Sequence, residues 1–219
     1  MSLEKKRFHA ALILPLFMLI IMWIERLTEV LLGFNLAFLG IHPLHANGLP
    51  GIVFSPFIHA GFKHLAANSV PFLVLGVALF YFYRDLAVKV LVFIWLMTGV
   101  WVWLMGRESY HIGASGLIYG MASFLFFSGV IRKNTQLAAL ALVVAFLYGS
   151  MIWGAIPDFF PKEHISWESH LGGLLSGLVM AFYYRHAGPQ RKKYSWEEEE
   201  ELEEADDAYW KKPDTTWNH

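Results

Sequence analysis

The side chains with the means to do chemistry in this 219-residue chain are a hydroxyl, two imidazoles and an amide, each at the end of an apolar run. The hydroxyl is Ser115, in His111-Ile-Gly113-Ala-Ser115-Gly116-Leu-Ile-Tyr119-Gly120, at the mouth of an apolar run that continues to about Ile131. Alone, a serine among glycines is ordinary packing material, because small residues let membrane helices approach closely. His64 and Asn68 stand four apart, which puts them on one helical face. His170 opens the last apolar run. Each has an ordinary reading too, as an interfacial imidazole or an amide that glues helices together. Taken jointly they form a chemical set: a nucleophilic hydroxyl, an imidazole to take its proton, and donors for an oxyanion. Tyr119 lies four residues beyond Ser115, on the same face, where its ring would support an imidazole.

Composition decides where such a set would operate. Hydrophobic residues make up 56% and charged residues 16%, with mean hydropathy +0.44. That is too little charge to cover a soluble domain of this size. The apolar residues fall in separated blocks at about 8–24, 62–82, 87–105, 112–131, 137–156 and 169–186. Such blocks are the mark of a polytopic membrane protein. The first contains Pro15, which a membrane helix tolerates when its neighbours satisfy the freed carbonyl. Its length and the lack of a small-x-small site before Glu25-Arg26 argue against a signal peptide. The sixth is short of the roughly 20 residues a full span wants. There is no cysteine, so disulfides, thiolate metal sites and a Cys nucleophile are excluded.

Six spans return the carboxyl end to the side of the amino end. Eleven Lys and Arg then share that side (Lys5, Lys6, Arg7, Arg84, Lys89, Arg132, Lys133, Arg185, Arg191, Lys192, Lys193), against four on the other (Arg26, Lys63, Arg107, Lys162). The richer side is cytoplasmic, which predicts both termini there. Residues 25–61 hold Pro43, Pro50 and Pro56, five glycines and three histidines, yet stay largely apolar. A loop this long and greasy is expected to be partly embedded in the membrane, packed on the helices. The expected architecture is an all-α, six-span membrane domain over 1–188. An acidic cytosolic tail, disordered or a solvated helix, would follow at 189–219. The net charge of -1 hides that division: residues 1–190 carry 12 basic against 8 acidic residues, and 191–219 carry 5 against 10.

This topology brings the set together. The second, fourth and sixth spans all enter from the outer side, so His64, Asn68, Ser115 and His170 share one depth. Ionisable groups inside spans are costly and mark function. Ser115 stands at a helix start, where free N–H groups and the helix dipole favour negative charge. Gly116-x-x-x-Gly120 and Gly173-x-x-x-Gly177 offer small faces for close approach of the fourth and sixth spans. Gly-Ala-Ser-Gly-Leu lacks the second glycine and the preceding strand of a G-x-S-x-G elbow. His59 and His64, five apart and without H-E-x-x-H, make a poor chelate, so no metal is expected at the site. Glu168, two residues before His170, faces away from it on a helix and reads as a solvated loop carboxylate. No internal repeat supports a transporter.

The chain resembles the rhomboid intramembrane serine proteases. The likeness rests on His59-Ala-Gly-Phe-Lys-His64-Leu-Ala-Ala-Asn68, on Gly113-Ala-Ser115-Gly116 with Tyr119, and on His170-Leu-Gly-Gly173, spread over about 8–186. It implies a Ser–His dyad without an acid, Ser115 as nucleophile and His170 as base. The Ser115 N–H, His64 and Asn68 would form the oxyanion hole, Tyr119 would stack on His170, and His59 would brace the first loop. It further implies transmembrane substrates, a bacterial inner-membrane location, and no cofactor or nucleic-acid partner. A catalytically silent member that binds membrane clients is the alternative. Many bacterial members carry a Trp-Arg pair in the first loop, whereas residues 25–61 contain no Trp and only Arg26. A different anchor for that loop is therefore expected.

Overall fold

The computed structural model describes residues 2–147 and 166–188, all within one compact unit, Met1–Pro189. The acidic tail, the end of the fifth apolar run and the Gly- and Pro-containing stretch 153–161 lie outside the described residues. Among the described residues there are seven α-helices and no strand. They are α1 Leu3–Leu32, α2 Gly51–Phe54, α3 Phe62–Phe82, α4 Ala87–Met105, α5 Ser115–Ile131, α6 Thr135–Leu147 and α7 Trp167–Tyr183. α1, α3 and α4 are long and apolar enough to cross a membrane, and α5 is a shorter apolar helix. Ile13, Phe17, Ile20, Ile24, Leu27 and Leu31 of α1 are exposed. A hydrocarbon surround makes such a face favourable. The protein is a multi-pass membrane protein.

α1 extends past the apolar run 8–24 at both ends. Ser2 caps its start by accepting a hydrogen bond from the Lys5 N–H at 3.4 Å. At the other end, Glu25 to Glu29 looked like the beginning of the loop, yet they remain helical. Arg26 pairs with Glu29 at 2.6 Å, and Glu29 also accepts the Leu36 N–H. The Arg26–Glu29 pair and the Leu36 bond hold this turn in place, and the charged stretch does not end the helix. Gly33 does, at φ +69°, with the N–H groups of Gly33 and Phe34 both donating to the Glu29 carbonyl.

The first loop lies along α4. Trp95 Nε1 donates to the Ile52 carbonyl at 2.9 Å, and Trp103 Nε1 to the His45 carbonyl at 3.0 Å. Leu44 N–H returns a bond to the Trp103 carbonyl at 3.0 Å. The anchoring tryptophans thus belong to α4 and not to the loop. An antiparallel bridge between Ile41 and His111 joins the loop to the α4–α5 connection.

α5 is the centre of the bundle, buried on nearly every side from Gly116 to Leu125, as an all-round apolar helix should be. α7 lies against it backbone to backbone. A Cβ at Gly173 would stand 2.1 Å from the Gly116 carbonyl oxygen, and one at Gly177 2.1 Å from that of Gly120. No side chain fits there. α3, α5 and α7 run parallel, so their carboxyl ends also meet. At that end Arg132 is buried and donates to Tyr83 Oη at 2.8 Å, to Ser128 Oγ, and to the carbonyls of Tyr184, Arg185 and Ala187.

Candidate active site

Four backbone segments deliver the site. α3 begins at Phe62, so His64 and Asn68 fall in its first two turns, on one face. The loop into α5 passes directly over them. A Cβ at Gly113 would lie 2.9 Å from the His64 ring and 3.8 Å from Asn68 Nδ2. Gly113 is also at φ +109°, a conformation that side-chain-bearing residues avoid. Both constraints demand glycine, two residues before the serine. Asn68 is buried, and its Nδ2 has no hydrogen-bond partner among the described residues. A buried donor in that condition costs about 1–3 kcal/mol. It is poised for an acceptor brought from outside.

Ser115 is the first residue of α5 and is partly exposed. The backbone N–H groups of that first turn lack intrahelical acceptors, and the dipole adds positive potential. One turn below, the Tyr119 ring stacks on the His170 ring, with centroids 4.2 Å apart and planes 6° from parallel. The stack and the glycine contacts hold the first turns of α5 and α7 side by side. Ser115, His170, His64 and Asn68 therefore lie at the same end of the bundle, near the amino ends of three parallel helices.

His59 supports this end from behind. Its Nδ1 faces the Phe57 carbonyl at 3.2 Å, so Nδ1 carries the proton and Nε2 is left to accept. What it accepts is the N–H of Ala114, at 3.4 Å, the residue before the serine. Burial, with help from neighbouring His64, pushes the His59 pKa down to about 4. A neutral imidazole is what this pair of bonds requires.

A second polar group, not foreseen in the sequence, ties the α5 approach loop to α7. His111 is buried, and its Nε2 meets the Arg107 carbonyl at 3.0 Å. Nε2 must then be the donor, which leaves Nδ1 to accept from the Ser166 hydroxyl at 2.6 Å. Ser166 in turn caps α7, accepting the Ser169 N–H at 3.2 Å. Burial lowers the His111 pKa, in keeping with the neutral form. Glu168 is not solvated as expected: it is 6% exposed, with Oε1 3.6 Å from Arg107 Nε and 3.3 Å from the Arg107 N–H. It does face away from His170, as i, i+2 on a helix must. The histidine and the carboxylate are both visible in the sequence, but each stands among other polar residues and their separation along the chain hid the pairing. A cavity of about 20 Å³, lined in part by Ser55, Thr98, Gly113, Gly116 and Ser169, adjoins the serine loop. That is room for a single water.

A family model described as the Rhomboid domain matches residues 47–187, a range that includes every one of these site residues. The chain belongs to the rhomboid family. Similar proteins include uncharacterised ones from Mycobacterium tuberculosis and Mycobacterium bovis, each 36% identical over 178 residues, covering 78% of this chain and 73% of theirs. A Mycobacterium leprae protein is 35% identical over 176 residues, 77% of this chain and 67% of its own. A protein of Acanthamoeba polyphaga mimivirus that is named a rhomboid protein is 30% identical over 133 residues, 56% of this chain and 68% of that one. Within this rhomboid chain, two tryptophans on α4 hydrogen-bond to the first loop, which itself has no Trp-Arg pair.

Proposed function

We propose that this rhomboid-family protein is an intramembrane serine endopeptidase that hydrolyses peptide bonds in or near the transmembrane segments of other membrane proteins. The observation that carries the reading is the Tyr119–His170 stack one turn below Ser115, with the unpartnered Asn68 amide beside Gly113. In the first step Ser115 Oγ attacks the scissile carbonyl carbon and its proton passes to His170. The oxyanion accepts hydrogen bonds from the Ser115 N–H, from Asn68 Nδ2 and from the His64 ring. His170 then protonates the leaving amine as the C–N bond breaks, leaving an acyl-serine. Water, deprotonated by His170, cleaves the ester and restores both side chains. No step calls for a metal or cofactor.

The Tyr119 ring fixes the rotation of the imidazole, a role that an acid fills in triads. Substrates would be helices with small or helix-weakening residues near the outer membrane face, because a helix must unwind before its carbonyl meets the serine. Both termini would be cytoplasmic, on the charge bias of the connecting segments.

The test is reconstitution into lipid vesicles with a labile transmembrane substrate. Cleavage by wild type and none by Ser115→Ala is expected, and cleavage that survives Ser115→Ala overturns the reading. A serine-reactive fluorophosphonate should label wild type at Ser115. Folded protein that takes no label would instead be a client-binding membrane protein without catalysis.

A further inference from the structure

Outside the serine site, three other potential ligands converge on the same outer end of the molecule. His42 and His45 belong to the first loop and Glu108 to the α4–α5 connection, and one ligand atom from each lies within 4.8 Å of the others. We propose that these three side chains bind a divalent first-row transition metal ion, with Zn²⁺ the best fit, and that the ion clamps the first loop to the connection leading into Ser115.

The backbone around the two histidines is already fixed. His45 N–H closes a turn onto the His42 carbonyl at 3.3 Å. Between them Leu44 sits at φ +59°, a left-handed conformation that costs a leucine energy. The Trp103 bonds to Leu44 and His45 keep it there. Gly48 packs so tightly on His42 that a Cβ would lie 2.2 Å from the His42 carbonyl oxygen. The chain has paid to place two imidazoles side by side, with ring centroids 4.0 Å apart and Tyr110 stacked on the far face of His42. His42 Nδ1 is buried and has no hydrogen-bond partner among the described residues.

The donor set suits this class of ion. Imidazole is a ligand for zinc, copper and nickel, and two imidazoles with one carboxylate leave a tetrahedral zinc one position for water. A hard cation such as Mg²⁺ prefers oxygen ligands. Glu108 lies three residues before His111, which bridges to Ile41 and to Ser166 at the start of α7. An ion at His42, His45 and Glu108 would therefore add a second fastening beside that bridge. It would stiffen the roof of the site without touching the serine or His170.

Binding is read directly, so the outcome does not depend on proteolysis. The full chain with Ser115→Ala and no polyhistidine tag would be titrated with Zn²⁺ in detergent by calorimetry, and with Co²⁺ by visible absorption. One ion per chain, a tetrahedral Co²⁺ spectrum and a raised melting temperature are expected. His45→Ala and Glu108→Gln alter exposed side chains, so both should fold. Each should weaken binding at least about tenfold. The chain has ten histidines. Zn²⁺ bound equally well by wild type and by the His45→Ala/Glu108→Gln double variant would overturn the assignment, as would no binding at all.

Discussion

The two ends of the α3–α5–α7 trio both bury polar side chains among apolar helices, and they treat them in opposite ways. At the carboxyl ends, Arg132 makes five hydrogen bonds, matching the five N–H donors of a guanidinium. Tyr83 Oη both accepts from Arg132 and donates to Ser128 Oγ at 2.9 Å, and the Tyr83 ring lies under the guanidinium at 5.1 Å. The carbonyls it reaches follow the last turn of α7, where the helix dipole favours a cation. At the amino ends, Asn68 Nδ2 is buried with no partner among the described residues, and Ser115 is partly exposed at a helix start. Being polar and buried does not separate a fastener from a reactive site. What differs between these two ends is whether the hydrogen bonds are complete.

Replacing residues at either end tests this contrast. Ser115→Ala should lower proteolysis at least about 10³-fold, with the melting temperature unchanged. Loss of folding in that variant would mean the serine is part of the framework. Arg132→Met should do the reverse. It takes a donor from three carbonyls and from two hydroxyls that keep their bond to each other, and a buried acceptor left unsatisfied costs about 1–3 kcal/mol. Thermal melts in detergent would register the loss, while turnover per folded molecule at low temperature stays near wild type.

Asn68→Ala sharpens the comparison within the reactive end. The rate should fall about 10²-fold, the usual cost of one oxyanion donor, whereas the melting temperature holds or rises because an unpaired buried amide is gone. A fall in stability with the rate intact would make Asn68 helix glue after all. A last effect concerns acid. The unfolded His59 takes a proton near pH 6.5 and the folded one only near 4, so the unfolded state binds more protons between these values. This contribution to stability is complete above about pH 6.5 and is lost as the pH falls towards 4. Melting curves across that window should show the slope, and His59→Asn should flatten it.

Much of the site was legible because its members stand out chemically. His64, Asn68, Ser115 and His170 are polar residues at the ends of apolar runs, and helical spacing alone pairs His64 with Asn68 and Ser115 with Tyr119. Misreadings arose where a residue's partner lies far away in the chain. Glu25 to Glu29 suggested the end of a span, but Arg26 and Glu29 neutralise one another and α1 continues to Leu32. Glu168 seemed free to face water, and it is enclosed by Arg107 and His111 instead. The first loop seemed to lack its anchor because the tryptophans that hold it are on α4.

By itself the amino-acid order determined where helices form, that they need a membrane, and which few side chains are out of keeping with it. Those properties come from hydrophobic run length and from 3.6-residue periodicity, both local. Only the folded chain decided which polar groups are satisfied and which are left waiting. A hydrogen bond is short and directional, and its two halves here come from segments tens of residues apart, joined only when the helices pack.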